Sequence, residues 1–381
     1  MKFGIQPKEL KRALPLLKTV RLRKGAHRKP VLDTVHVSQD VTGDLQLEAT
    51  DLETAIHVCI EPEMAESGEM CIPFDDLDRL SRAATGLLTF STDSKPNRIS
   101  VEINGGEAEI ETEDAKDFPR LRHDTWKPLV SMPAPELLRG IQLTQFAVER
   151  VRRRYTTDTL CLKLRDGKVW LIATDQKRIA EYQLDAAVLD SSPDKSILIR
   201  LAAVGALAKA LRKAETVQIA SAEDGKLYTF LIDGNIRIVT TPVDGNYPPT
   251  DLILHDGDTS NPPSVLSLEV EGFTLALNAA IPFTGREDHG VYFAGTNAGI
   301  TLRTWKEGKW NFSVPIEGAK LKGKPIDIGF NVVFLRDLVE CARRLEEKAF
   351  VLRCKDAELP AFVTLGNGNW NYVIMPLRIP D

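Results

Sequence analysis

Apolar and polar residues alternate along several short stretches of the chain, and pairs of these stretches meet at glycine. Residues 99–112 alternate on both sides of Gly105-Gly106, residues 227–241 around Asp233-Gly234, and residues 361–374 around Gly366-Asn367-Gly368. A period of two around a glycine-containing turn predicts a β-hairpin with one buried face. An apolar or aromatic residue and a proline follow each hairpin, in Asp117-Phe118-Pro119, Asn246-Tyr247-Pro248 and Met375-Pro376. The three prolines lie 129 and 128 residues apart.

Elsewhere a short apolar strand changes to helical spacing. Cys71-Ile72-Pro73-Phe74 leads into residues 75–84, Ile197-Leu198-Ile199 into 201–213 and Ile328-Gly329-Phe330 into 331–345. In the third of these, Val332, Leu335, Leu338 and Val339 share one face, as an amphipathic helix requires. Asp75 and Asn331 are the expected N-caps. Three further strand-to-helix passages open at residues 3–5, 129–132 and 266–270, with helices over 7–18, 135–146 and 273–280. A strand ending in Ala-Thr-Asp occurs twice, at Asp51 and Asp175, 124 residues apart; residues 300–305 stand in the third place without the aspartate.

These patterns define a repeat of about 125 residues, each copy reading β-α-β-β-β twice. The expected fold is α+β, three tandem copies of one duplicated domain over 1–126, 127–259 and 260–381, with polar linkers at 123–128 and 256–263. A period this long fits tandem domains rather than a short-repeat solenoid.

Composition narrows the function classes. Hydrophobic residues are 43% and charged residues 27% of the 381, which excludes wholesale disorder. Five scattered cysteines form no CxxC pair, so they read as reduced, buried thiols, not a disulfide framework or zinc site. The N-terminus has no apolar signal core and no run approaches a membrane span, so a soluble cytoplasmic protein is expected. There is no GxGxxG after a strand, no GxxxxGK[ST], no HExxH and no GxSxG, and the six histidines lack metal-ligand spacing. Neither catalysis nor a cofactor or metal is expected.

The net charge of -5 argues against a protein coated in basic charge, but the cations are clustered. Arg21, Arg23, Lys24 and Arg28 lie in a basic stretch after the first helix. Arg150, Arg152, Arg153 and Arg154, with Tyr155, follow the third, and Lys209 lies late on the helix over 201–213. Equivalent elements of a repeat carrying the same charge point to phosphate contacts, and Tyr155 beside the arginines fits stacking on a base or sugar and packing in the fold equally well.

Together the residues resemble the bacterial β sliding clamp family, the processivity subunits of DNA polymerase III. The resemblance covers the whole chain. It rests on Met1-Lys2-Phe3, Thr50-Asp51-Leu52-Glu53, Asp117-Phe118-Pro119-x-Leu121, Ala173-Thr174-Asp175-x-x-Arg178, Val243-Asp244-Gly245-x-Tyr247-Pro248, Ile328-Gly329-Phe330-Asn331-Val332 and residues 372–379. It implies a head-to-tail homodimeric ring, helices lining the hole and sheets outside, that encircles duplex DNA without sequence preference and tethers polymerase, clamp loader and repair proteins through short peptides. It also implies an apolar peptide pocket at Thr174, Gln176, Lys177, Arg178, Ile179, Pro248, Ile253, Val373, Ile374, Met375, Pro376, Leu377 and Arg378. The dimer seam falls at Ala108 and Ile110, facing Ile281, Pro282 and Phe283.

The sequence departs from the family at Gln176-Lys177, where Gly-His is usual. It departs also at Leu252, where arginine is common, at Ala108, where the family is bulkier, and in the extra Pro380-Asp381. These departures leave open a divergent scaffold of the same fold, serving repair or a mobile element with other partners.

Overall fold

In the computed structural model the alternation read from the sequence becomes antiparallel register. Strand Arg98–Ile103 pairs with Gly106–Glu111, Ile103 opposite Gly106, so the turn is Asn104-Gly105, one residue before the expected pair. Both turn residues have positive φ, 52° and 81°, the geometry that matches the right-handed twist of the flanking strands. The structure describes the chain except residues 22–28, 40–42, 93–96, 124, 152–155, 191–193, 255–261, 286–288, 297, 307–309 and 379–381.

The chain forms two compact units. The first comprises Met1–Leu138, Asp185–Ser192 and Ile199–Val243. It holds a five-stranded sheet ordered Met64–Ala65, Lys2–Ile5, Leu88–Thr92, Arg98–Ile103, Gly106–Glu111. Its nine-stranded sheet runs Ala187–Val188, Trp126–Pro133, Thr216–Ala222, Tyr228–Ile232, Ile236–Thr240, Thr54–Ile60, Leu45–Thr50, Thr34–Gln39, Glu69–Pro73.

The second unit comprises Arg139–Leu184, Pro193–Leu198 and Asp244–Asp381. Its nine strands run Lys195–Arg200, Thr159–Arg165, Lys168–Thr174, Arg178–Leu184, Trp370–Ile374, Ala361–Leu365, Ala349–Cys354, Ser264–Glu269, Lys320–Gly323. A four-stranded sheet runs Trp310–Pro315, Gly299–Lys306, Gly290–Thr296, Ile326–Asn331. In each unit the large sheet joins strands of successive sequence repeats. Ile236–Thr240 pairs with Thr54–Ile60, and Arg178–Leu184 with Trp370–Ile374. Compactness therefore follows hydrogen-bonded sheets, which continue where the sequence repeat starts again.

The helices are α1 (Pro7–Leu17), α2 (Phe74–Ala83), α3 (Ala134–Thr144), α4 (Leu201–Ala210), α5 (Asp251–Leu254), α6 (Val270–Ala280) and α7 (Val332–Arg344). In α1, Leu10, Ala13, Leu14 and Leu17 are buried at helical spacing, and α1 packs on α2. Helix α2 starts at Phe74, with Pro73 in the N-cap position and no side-chain cap. Asp75 is therefore not the cap expected of it; it lies in the first turn, where its carboxylate meets Arg21. Asn331 does cap α7, its side chain accepting from Val333 N at 2.8 Å. Helix α6 begins at Val270, three residues before the expected start, because the strand ahead of it ends at Glu269.

Two glycines set the packing near the site described below. A Cβ on Gly140 of α3 would stand 2.7 Å from Leu184 and 2.8 Å from Leu171, so glycine lets the helix lie against its sheet. At Gly329 a Cβ would meet Tyr292 at 2.7 Å and the Leu377 carbonyl at 3.1 Å, so glycine admits the C-terminal segment. None of the five cysteines is in a disulfide, four of them are buried, and burial pushes the Cys71, Cys161 and Cys354 thiols up to about 12. Among the described residues no helix is long and apolar enough to cross a membrane.

Candidate functional site

The site is built on a tight turn. Thr174 ends one strand and Arg178 begins the next; Thr174 Oγ1 donates to the Arg178 carbonyl at 2.7 Å and accepts from Gln176 N at 3.1 Å. Asp175 Oδ1 accepts from the backbone of Lys177 and Arg178 at 3.0 and 3.1 Å. Threonine and aspartate are the residue types that satisfy a turn from their own side chains. The first repeat has the same construction, with Thr50 Oγ1 donating to the Thr54 carbonyl at 3.0 Å and Asp51 Oδ1 taking Glu53 N and Thr54 N at 3.0 and 2.7 Å. Gln176 and Leu52 hold the equivalent positive-φ positions, 69° and 78°.

The second wall comes from residues 248–253. The Tyr247 hydroxyl donates to the Ile172 carbonyl at 3.4 Å, which fixes the chain just before Pro248. The Asp251 carboxylate is bonded to Lys163 and Arg165. With its aspartate anchored to the sheet, α5 leaves Leu252 62% and Ile253 44% exposed. The third wall is the C-terminal strand, where Ile179 lies opposite Val373 and Met375 N donates to the Lys177 carbonyl at 2.8 Å. Leu377 N donates to the Gly329 carbonyl at 2.7 Å, so the Gly329 approach holds the segment beyond Met375.

These walls enclose a pocket of about 340 Å³ lined by Thr174, Gln176, Lys177, Arg178, Ile179, Pro248, Pro249, Thr250, Leu252, Ile253, Val373 and Met375. It is a concave, mainly apolar surface of the kind that takes side-chain anchors of a peptide. Of the expected residues, Ile374, Pro376, Leu377 and Arg378 do not line it. Strand alternation explains Ile374, which is fully buried on the face opposite Val373 and Met375. Pro249, Thr250 and Leu252 line it without having been expected; the signal was the pair of apolar residues, Leu252 and Ile253, directly after the anchored aspartate.

Arg178 supports the pocket from within. It is 8% exposed and donates to Asp175 at 3.0 Å, to Asp337 at 2.5 Å and to the Phe146 carbonyl at 2.7 Å. Its guanidinium lies 4.2 Å from the Phe334 ring centroid and 5.2 Å from that of Phe146. Burial alone would lower its pKa, but Tyr372, Asp175 and Asp337 outweigh burial and hold it above the ordinary arginine value.

Three of the expected DNA-contacting residues fall within the described structure. Arg21 makes two hydrogen bonds to Asp75, 2.6 and 2.9 Å, reaches Asp33 at 3.5 Å and stands 5.0 Å from the Phe74 ring centroid. Its charge is therefore neutralised inside the fold. Lys209 on α4 donates to the Pro15 carbonyl at 2.6 Å. Burial first, then the cations Arg212 and Lys18, lower its pKa, which marks a cluster of like charge where α4 meets the end of α1. Arg150 is exposed. Arg23, Lys24, Arg28, Arg152, Arg153, Arg154 and Tyr155 lie outside the described residues.

Two of the expected seam residues lie on an edge strand and three in a turn after a helix. Ala108 and Ile110 lie half-buried on Gly106–Glu111, the edge strand of the five-stranded sheet. Ile281, Pro282 and Phe283 form a single turn after α6, and Phe283 stacks on Phe312 of the edge strand Trp310–Pro315, centroids 4.5 Å apart. Among the described residues no three His, Cys, Asp or Glu side chains are grouped to hold a metal.

Residues 131–249 match the family described as DNA polymerase III beta subunit, central domain. Over full length the chain is 24% identical to a beta sliding clamp of Chlamydia pneumoniae and 26% identical to that of Chlamydia muridarum, covering 100% of each. The fold superposes on the crystal structure of the DNA polymerase III subunit beta from Pseudomonas aeruginosa with a TM-score of 0.89, at 22% identity and with 100% of both chains covered. In sequence and in fold the chain is similar from end to end to the β sliding clamps, the β subunits of DNA polymerase III.

Proposed function

We propose that two copies of the chain close head to tail into a ring around duplex DNA, and that the ring tethers the replicative polymerase and other partners without itself catalysing a reaction. The observation that carries this reading is the end-to-end agreement of the fold with a DNA polymerase III β subunit, which involves the whole chain and not one module. On this reading the chain has three domains, 1–126, 127–259 and 260–381, and the match to a central β-subunit domain at 131–249 falls inside the second. Such a ring works on DNA in the cytoplasm.

The seam would join Ala108 and Ile110 to Ile281, Pro282 and Phe283 of the other copy, a heterologous contact that closes after two subunits. Ala108 and Ile110 lie on an edge strand, where unpaired backbone favours association, and Phe283 stacks on Phe312 of another edge strand. Phosphate contacts would come from Lys209 with its neighbours Lys18 and Arg212, from Arg150, and from the arginine and lysine runs at 23–28 and 152–154. Because a closed ring stays on DNA by topology, these contacts need only be weak and sequence-independent. Partner peptides would insert apolar side chains into the pocket at Thr174–Ile179, Pro248–Ile253, Val373 and Met375.

Sedimentation equilibrium and DNA retention test the reading together. The expected species has twice the 42.3 kDa chain mass, remains on nicked circular DNA after loading and is lost when that DNA is linearised. A persistent monomer that its loader does not place on circular DNA would overturn it. Changing Arg152, Arg153 and Arg154 together to alanine should reduce the salt dependence of retention, by a slope of about 0.9 per phosphate contact removed.

A further inference from the structure

We propose that a cleft beneath residues 121–123, on the large sheet of the first unit, binds a small phosphate monoester. Arg122 and Arg237 hold its charge, and His57 accepts a hydrogen bond from its remaining hydroxyl. The site depends neither on ring closure nor on the peptide pocket.

The cleft has a volume of about 270 Å³, and its charge is one-sided. Arg237 stands opposite His57 on the neighbouring strand, and Arg122 reaches the same row of side chains through its bond to Glu48 at 3.1 Å. Arg122 is 42% exposed. Arg237 is exposed too, and among the described residues its guanidinium makes no hydrogen bond or ion pair. Among the described residues no carboxylate lines the cleft. Two guanidiniums without a lining acid favour an anion.

Two buried atoms of the lining narrow the choice of anion. His57 is 6% exposed, and its Nε2 is buried with no hydrogen-bond partner among the described residues; the same holds for Nε1 of Trp126. The indole N–H can only donate. His57 Nδ1 faces the Glu48 carboxylate at 3.5 Å and so carries the ring proton, which leaves a bare lone pair on Nε2. The ring stays neutral, because burial and then Arg122 and Arg237 lower its pKa to about 3.

The cleft therefore suits a ligand with several acceptor oxygens and one hydroxyl. A carboxylate, a sulfate ester or a nucleic-acid phosphodiester has acceptors alone and would set an oxygen lone pair against Nε2. A phosphate monoester, with a second pKa of about 6, brings both acceptors and a proton. Leu121, Leu231 and Val239 supply an apolar wall for its organic body. The volume is at the lower end for ligand pockets, which favours a free small ester over a phosphorylated chain.

The test compares phenyl phosphate with phenyl sulfate at about pH 5.5, where both are mainly monoanions of one shape that differ by a hydroxyl. Isothermal titration into the full chain reads affinity. The indole N–H resonance of Trp126 in ¹⁵N-tryptophan-labelled protein, assigned with Trp126→Phe, reports the place. Phenyl phosphate should bind about tenfold more tightly than phenyl sulfate and shift that resonance. Arg237→Gln, at an exposed position without a bond in the fold, should weaken phenyl phosphate about tenfold. His57→Gln, whose amide can donate to either ester, should bring the two ligands to within about twofold. Equal binding of the two by the wild type, an unmoved Trp126 resonance, or full affinity in Arg237→Gln would overturn the proposal, as would failure of both ligands to bind. A blocked phosphoserine tripeptide should bind no more tightly than phenyl phosphate; tighter binding would overturn the assignment to a free small ester.

Discussion

Arg178 and Asp337 form an ion pair at 2.5 Å that ties the first residue of a pocket strand to helix α7. Arginine is suited to this place because its planar fork serves Asp337, Asp175 and the Phe146 carbonyl at once. Arg178→Ala leaves Asp337 without its partner and should destabilise the chain by about 3–5 kcal/mol, read from urea unfolding. Arg178→Lys restores the charge but not the fork, and should recover less than half of the loss. Full recovery by lysine would mean that charge alone matters here.

Asp251 holds α5 by two cations, Lys163 and Arg165, and α5 carries two exposed apolar residues of the pocket wall. Because the aspartate is about one-third exposed, Asp251→Ala should cost only about 1 kcal/mol of global stability. Its effect on peptide affinity should be larger, about tenfold, since Leu252 and Ile253 lose their fixed position. Isothermal titration of an apolar-anchored peptide separates the two effects; equal affinity in the variant would show that the wall is held by other contacts.

Much of this arrangement was legible in the sequence, and what was missed has a common physical cause. Hairpins, amphipathic helices and the Thr-Asp turns depend on neighbours within a few residues, and the sequence shows those neighbours. The paired walls of the pocket came from the family resemblance, since the apolar pattern by itself makes Ile179 and Val373 ordinary core. Which charges remain free was not. Arg21 resembles its basic neighbours in the sequence, yet it is held by Asp33 and Asp75, the second of which is 54 residues away. The buried pair Glu48 and His57 is likewise set by strand register and not by proximity along the chain. The compact units differ from the sequence repeat for the same reason, because sheet pairing crosses between repeats.

The two Thr-Asp turns place a non-glycine residue in the left-handed region, Leu52 at φ 78° and Gln176 at φ 69°. A side chain there costs roughly 1 kcal/mol against glycine, which the turn hydrogen bonds offset. Leu52→Gly, at an exposed position, should therefore raise stability by about 0.5–1 kcal/mol. Gln176→Gly should do the same while changing peptide affinity, because Gln176 also lines the pocket. Loss of stability on Leu52→Gly, measured by thermal unfolding, would show that the leucine side chain contributes more than its backbone strain.

A row of polar side chains crosses the large sheet of the first unit, His36 opposite Glu48, Glu48 opposite His57, and His57 opposite Arg237. Glu48 Oε2 lies 3.5 Å from His57 Nδ1, 3.8 Å from His36 Nδ1 and 3.1 Å from Arg122, while Arg120 and Glu69 face His36 from the other side. Burial, with Arg120 and Arg122 adding repulsion, lowers His36 to about 4; burial, Arg122, Arg237 and His36 lower His57 to about 3. Burial raises Glu48, against the pull of Arg122. Both histidines take up protons more readily when unfolded, so their contribution is complete above pH 6.5 and is lost as pH falls from there toward 4 and 3. At pH 5 each would have given up about 2 kcal/mol. Glu48 has the opposite sign, because its folded pKa is raised, and it returns part of that loss as it protonates on acidification. The urea midpoint should therefore fall between pH 7 and pH 5, and His57→Gln, which cannot titrate, should flatten the decline while lowering the midpoint at pH 7. A midpoint in the parent chain that does not move over this range would mean that both histidines reach solvent before they protonate.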